Sequence, residues 1–101
     1  MPKQAKTLEE IIADLVRLAR DANGTDVHTK LNGGLHIWVR HCADKKMSRL
    51  SIGRQRVKPS FQEWNNIVSR WPWNVIFCNP TMSQDERENF FLSAHIPDRE
   101  G

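Results

Sequence analysis

The sequence predicts an α+β fold: a two-layer sandwich of element order α-β-β-α-β-β, with two helices on one face of a four-stranded, mainly antiparallel sheet. Two segments place apolar residues at three- and four-residue steps behind capping-box sequences. Three further segments alternate apolar and polar residues, and a fourth is a continuous apolar run. Gly, Asn and Pro clusters punctuate these segments, and no linker is long enough to separate domains, so residues 1–101 are expected to form a single domain with frayed tails at 1–6 and 98–101.

Thr7-Leu-Glu-Glu10 is the first capping box, and the following Leu8, Ile11, Ile12, Leu15, Leu18, Ala19 and Ala22 share one helical stripe. Asn23-Gly24 supplies a stop, because both tolerate left-handed backbone. Residues 23–34 then read as a polar connection ending in Asn32-Gly33-Gly34. In Leu35–His41, Leu35, Ile37 and Val39 share one face of a strand, and His36, Trp38 and Arg40 share the other. After a turn at 43–46, Ser48–Arg54 alternates in the same way about Leu50 and Ile52, so the two segments read as a hairpin with one buried face. Pro59-Ser60-Phe-Gln-Glu63 is the second capping box. Its helix carries Phe61, Trp64, Ile67, Val68 and Trp71 on one side and ends at Pro72. Trp73–Cys78 reads as a buried strand, residues 81–89 as a polar loop or a single helical turn capped by Ser83, and Phe90–Ile96 as the last strand, stopped by Pro97. The order is also that of a circularly permuted βαββαβ plait, which leaves one sheet face to solvent or to a partner.

The composition is that of an ordinary globular chain: 39% hydrophobic, 27% charged, with four Trp, four Phe and no Tyr. No apolar run approaches the roughly 20 residues of a membrane helix, and the charged start lacks the apolar segment of a secretory signal, so a cytoplasmic location is expected. Cys42 and Cys78 allow one disulfide at most, and reduced structural thiols are expected. His36, His41, Cys42, Cys78 and His95 lack the paired spacings of a zinc site. Adjacent His41 and Cys42 would point to opposite faces of a strand. No metal, cofactor or catalytic residue is expected, since no phosphate-cradling glycine loop or oriented Cys–His arrangement is legible.

The net charge is +3, but it is unevenly spread: residues 41–58 carry +5 and residues 83–101 carry −3. Trp38, Arg40, Lys45, Lys46, Arg49, Arg54, Arg56 and Lys58 are therefore the candidate binding residues. Guanidinium groups beside an indole suit a phosphate backbone with base stacking. They equally suit an acidic protein surface, where Arg and Trp are favoured anchors, or simply a solvated strand edge. Parity sends Trp38 away from the core, where it is either exposed or covered by the connection at 23–34. An uncovered face bearing Trp38, Ile76 and Phe91 would also allow a face-to-face homodimer.

Leu50-Ser-Ile52, Pro59-Ser-Phe-Gln-Glu-Trp64, Pro72, Asn79-Pro80 and the aromatic strand with His95 together resemble an uncharacterised family of small phage and prophage proteins over residues 48–97. This sequence departs from that family at Gly53, where a Ser is usual, and by its N-terminal helix. The resemblance implies a mobile-element context in a bacterial host and transfers no catalytic residue. The resulting expectation is a small non-enzymatic accessory protein whose basic hairpin binds and inhibits or modulates a host protein, such as a nucleic-acid-handling defence or replication factor. Direct binding of DNA or RNA by the same surface is the alternative.

Overall fold

Both capping boxes start helices. In the computed structural model, which describes residues 6–73, 75 and 78–98, helix α1 spans Leu8–Ala22 and helix α2 spans Phe61–Val68. At the start of α1, Thr7 Oγ1 accepts from the Glu10 amide at 3.2 Å, and the Thr7 amide donates to Glu10 Oε1 at 3.2 Å. Ser60 and Glu63 repeat the exchange on α2 at 3.1 and 3.0 Å. Each box satisfies amides that the first helical turn leaves without partners.

Five strands form the sheet: β1 (Val27–Lys30), β2 (His36–Cys42), β3 (Met47–Gln55), β4 (Thr81–Gln84) and β5 (Asn89–Pro97). Their spatial order is β1-β2-β3-β5-β4, and every neighbouring pair is antiparallel. The α+β class holds, whereas the expected four strands and α-β-β-α-β-β order do not: the chain runs α-β-β-β-α-β-β.

Two segments account for the difference. The connection at 23–34 contains β1, whose Val27 and Thr29 are half-buried while His28 and Lys30 are exposed. The polar stretch at 81–89 is the β4–β5 hairpin. Asp85 anchors its turn, accepting from the Arg87 and Asn89 amides, each at 2.9 Å. These bonds hold the Asp85 carboxyl below its usual range, the side-chain bond from Asn89 contributing most. Of the strand expected at 73–78, residues 74, 76 and 77 lie outside the described residues, and Trp73, Val75 and Cys78 are not in a strand. Their apolar side chains pack against the core from irregular chain, and the Trp64 indole N–H donates to the Cys78 carbonyl at 3.2 Å.

The core is a single cluster on one face of the sheet. Ile12, Leu15, Val16 and Ala19 of α1 and Trp64 and Ile67 of α2 meet Ile37, Val39, Leu50, Ile52, Leu92 and Ile96. Not every residue of the expected helical stripes is inside. Leu18 is 45% exposed and Phe61 60% exposed, while Trp71, beyond the last turn of α2, is buried. Asp98, assigned to the polar tail by the sequence, is fixed: its amide donates to the Lys46 carbonyl and its carboxylate meets His41 Nε2, both at 2.8 Å.

Candidate binding face of the sheet

Period-2 geometry leaves the second face of the sheet without a helix over it. Strand register sorts its residues into rows. One row runs Lys30–His36–Gly53–Phe91–Ser83, and the next runs His28–Trp38–Ser51–Ser93–Thr81. A third holds Arg40, Arg49 and His95. No strand residue in these rows is a carboxylate.

Aromatic rings gather at one end of this face. Trp38 meets Phe91 edge-on with ring centroids 5.6 Å apart, and lies nearly parallel to His28 at 5.1 Å and to His36 at 5.6 Å. Trp38 is thus half-buried: the 23–34 segment covers part of it, through the His28 ring on β1. Gly53 makes the Phe91 placement possible. A Cβ there would sit 2.7 Å from both the Phe90 carbonyl oxygen and Phe91 Cδ1, so the Phe91 ring lies where a side chain would otherwise project.

The middle of the face is low because its residues are small. Ser93 Oγ donates to Ser51 Oγ at 2.9 Å across β3 and β5. Three depressions, of about 270, 320 and 610 Å³, adjoin along these two strands. Trp38 and Phe91 separate the first from the second, and Arg49 and Ser93 the second from the third. They form a shallow trough with an aromatic end and a polar end, the latter lined by Arg49, Asn79, Thr81 and His95. Phe91 and His95 lie four residues apart, so the two ends are separated by about 13 Å.

The candidate cations do not form one patch. Arg40 and Arg49 stand opposite each other on the open face, beside Trp38. Arg40 is engaged: its Nε and Nη2 bond the two Asp26 carboxylate oxygens at 3.1 and 2.8 Å. Arg49 is exposed and makes no ion pair or hydrogen bond among the described residues. Lys45 and Lys46 lie at the β2–β3 turn, and Arg56 and Lys58 follow the opposite end of β3, about 30 Å away at strand rise. Arg56 approaches Glu88 at 3.7 Å, and the Lys58 ammonium lies 5.7 Å from the Phe90 ring centre.

Arg54 is a correction. Its parity matches Leu50 and Ile52, so it lies on the helix side. There its Nη1 donates to Glu63 Oε1 at 2.8 Å, Nη2 meets Oε2 at 2.5 Å, and Nε donates to the Gly33 carbonyl at 3.0 Å. The Arg54 guanidinium, with the Ser60 bonds behind it, pulls the Glu63 carboxyl down to about 2. Arg54 ties β3 to the capping box of α2 and is not available to a partner.

Sequence reasoning missed His28 and Lys30 as members of this face; alternation put Ser51 and Ser93 there, but not among the candidate binding residues. The β-branched alternation Val27-His-Thr-Lys30 was the available signal for β1. That the two serines meet to form the trough floor depends on how β3 and β5 pair. Ile76, expected to join Trp38 and Phe91, lies outside the described residues. Cys42 and Cys78 are half-buried, and burial pushes the Cys78 thiol up. Among the described residues, no three of His, Cys, Asp and Glu converge as metal ligands, and no helix is long and apolar enough to cross a membrane. Comparison of the chain with protein-family models, curated proteins and solved structures finds no match.

Proposed function

We propose that this protein binds single-stranded nucleic acid along the trough of its open sheet face, as a binding protein without a catalytic step. The observation that carries the reading is the Trp38–Phe91 ring pair beside Arg49, over a floor of small hydroxyl side chains where the lining carboxylate, Asp26, is paired with Arg40. Stacking on aromatic side chains accepts any base, and a cation beside it takes the phosphate. An extended trough suits an unpaired strand, whose bases can turn onto the rings. A duplex keeps its bases stacked inside.

The same Trp38–Arg49 juxtaposition supports a second reading, a host protein docked on this face, since both residue types dominate protein hot spots. It would retain the accessory role implied by the phage resemblance. Half-burial of Trp38 within its own chain reduces the apolar area left for such an interface, or for a face-to-face dimer.

Fluorescence anisotropy with labelled oligo-dT, oligo-U and a matched duplex tests this directly. Single strands are expected to bind more tightly than the duplex. With about three phosphate contacts, the log–log salt slope should be near −2. Trp38→Ala is expected to weaken binding about five- to hundredfold, the value of one stacked base. Absence of binding to every oligonucleotide at low ionic strength would overturn the reading, and capture of an acidic protein through Arg49 would then favour the second.

A further inference from the structure

On the open face, two imidazoles stand where a base would have to stack. His28 Nε2 lies 2.7 Å from His36 Nδ1, the ring centroids are 4.9 Å apart and the planes differ by 11°. The centroid separation exceeds the nitrogen contact by 2.2 Å. The two nitrogens therefore lie close to the line of centres, and the rings meet edge to edge in nearly one plane. Both planes lie near that of Trp38, at 26° and 17°. The joined imidazoles make a plate leaning on the indole.

We propose that this plate is a proton-operated cover: with at most one imidazolium in the pair it occupies the stacking position on Trp38, and a second proton parts the rings and opens that position to a base. The proposal rests on the nucleic-acid reading above. An in-line N–H···N bond needs one proton between the two nitrogens, with one ring donating and the other accepting. Neutral rings meet this condition, as does one imidazolium donating to one imidazole. A second proton from solvent puts N–H against N–H and adds like charge, and the contact is lost.

Among the described residues, each nearby anion is already paired with a cation. Lys30 stands opposite His36 on β1, and Arg40, Arg49 and His95 occupy the neighbouring row. Arg54, which lines the same depression as His36, is bound to Glu63, and Asp26 is bound to Arg40. On the α1 side, His28 borders a hollow whose Lys6 and Asp14 pair with each other. Burial first, then the charges of His28 and Lys30, hold His36 below its ordinary range, so the cover is closed at neutral pH. Opening adds positive charge beside Trp38 as it frees the ring, and both changes favour a polyanion with bases.

The test uses oligo-dT, whose bases do not take up protons in the range concerned, titrated from pH 8 to pH 5 at constant ionic strength. Affinity is expected to rise on the order of tenfold as pH falls below about 6.5, comparable to one added phosphate contact. His28→Ala should bind more tightly than the parent at pH 7.5, because it frees the ring without the added charge, and with a flatter profile. His41→Gln, which removes an imidazole on the helix side of the sheet and outside the trough, should keep the parent profile. An independent readout is the ring 15N NMR of the protein without oligonucleotide. His28 and His36 should titrate as a coupled pair in two steps, with the Trp38 indole resonance following the second. Independent single-step titrations with an unmoved Trp38 overturn the cover whether or not nucleic acid binds. Binding that is tight, pH-independent and insensitive to His28→Ala overturns the cover and leaves the nucleic-acid reading standing. Failure of every oligonucleotide to bind removes that reading, while the NMR titration still decides the cover.

Discussion

The two faces of β3 set the terms for the rest of the molecule. Leu50 and Ile52 point toward the helices and are 0% exposed; Arg49 and Ser51, one residue away, point to the uncovered side. On the covered face each side chain is held by neighbours on the sheet and on both helices, so shape decides what is tolerated. On the open face, Arg49 is exposed and makes no ion pair or hydrogen bond among the described residues. Stability and binding should therefore separate cleanly by residue parity along one strand.

The hardest break of that contrast is Leu50→Ala. Loss of a fully buried side chain should cost about 2–5 kcal/mol in urea or thermal unfolding. Next is Gly53→Ala, where the added methyl meets Phe90 and Phe91 at 2.7 Å. About 1–3 kcal/mol is expected, with weakened oligonucleotide binding as Phe91 is displaced. At Gly53, on the open face, stability and binding should thus fall together.

Glu63→Gln should cost about 1–2 kcal/mol once solvent screening of its half-exposed ion pair with Arg54 is allowed for. The Glu63 carboxyl is held near 2 in the folded chain against 4.5 when unperturbed. Its contribution is therefore complete above about pH 4.5 and is lost as pH falls toward 2, and acid unfolding of the parent should show this difference from the variant. His36 moves in the same direction in another window. Its lowered value means that the unfolded chain takes up the proton first, so its contribution is full above 6.5 and declines below it. Urea midpoints of parent and His36→Gln, compared between pH 7.5 and pH 5.5, should reveal it. The smallest stability effect belongs to Arg49→Ala, within about 0.5 kcal/mol. The same change should weaken oligonucleotide binding and reduce the salt slope by about 0.7.

Much of the covered face was legible. Ile37, Val39, Leu50, Ile52, Leu92 and Ile96 all stand inside, at the parity their spacing demands. The candidate site was legible only in part. Trp38, Arg40 and Arg49 share the open face as read from alternation, but Arg54 turned to the helix side, and the basic run was stretched along β3. Charge totals count residues along the chain, and an extended strand spreads them over tens of ångströms.

By itself the sequence determined what depends on a turn of helix or a few residues of strand: both capping boxes, the apolar stripes, and the inward face of β2, β3 and β5. Those rest on contacts between residues three or four apart, or on the period-2 pleat, which operate before any tertiary partner arrives. Only the tertiary structure decided the edges and the trough. Val27–Lys30 and Thr81–Gln84 are short and mostly polar, and they become strands because β2 and β5 supply hydrogen bonds for their backbones. The Ser51–Ser93 floor and the His28–His36 plate bring together residues 42 and 8 positions apart. Strand pairing creates both, so no local pattern could announce either.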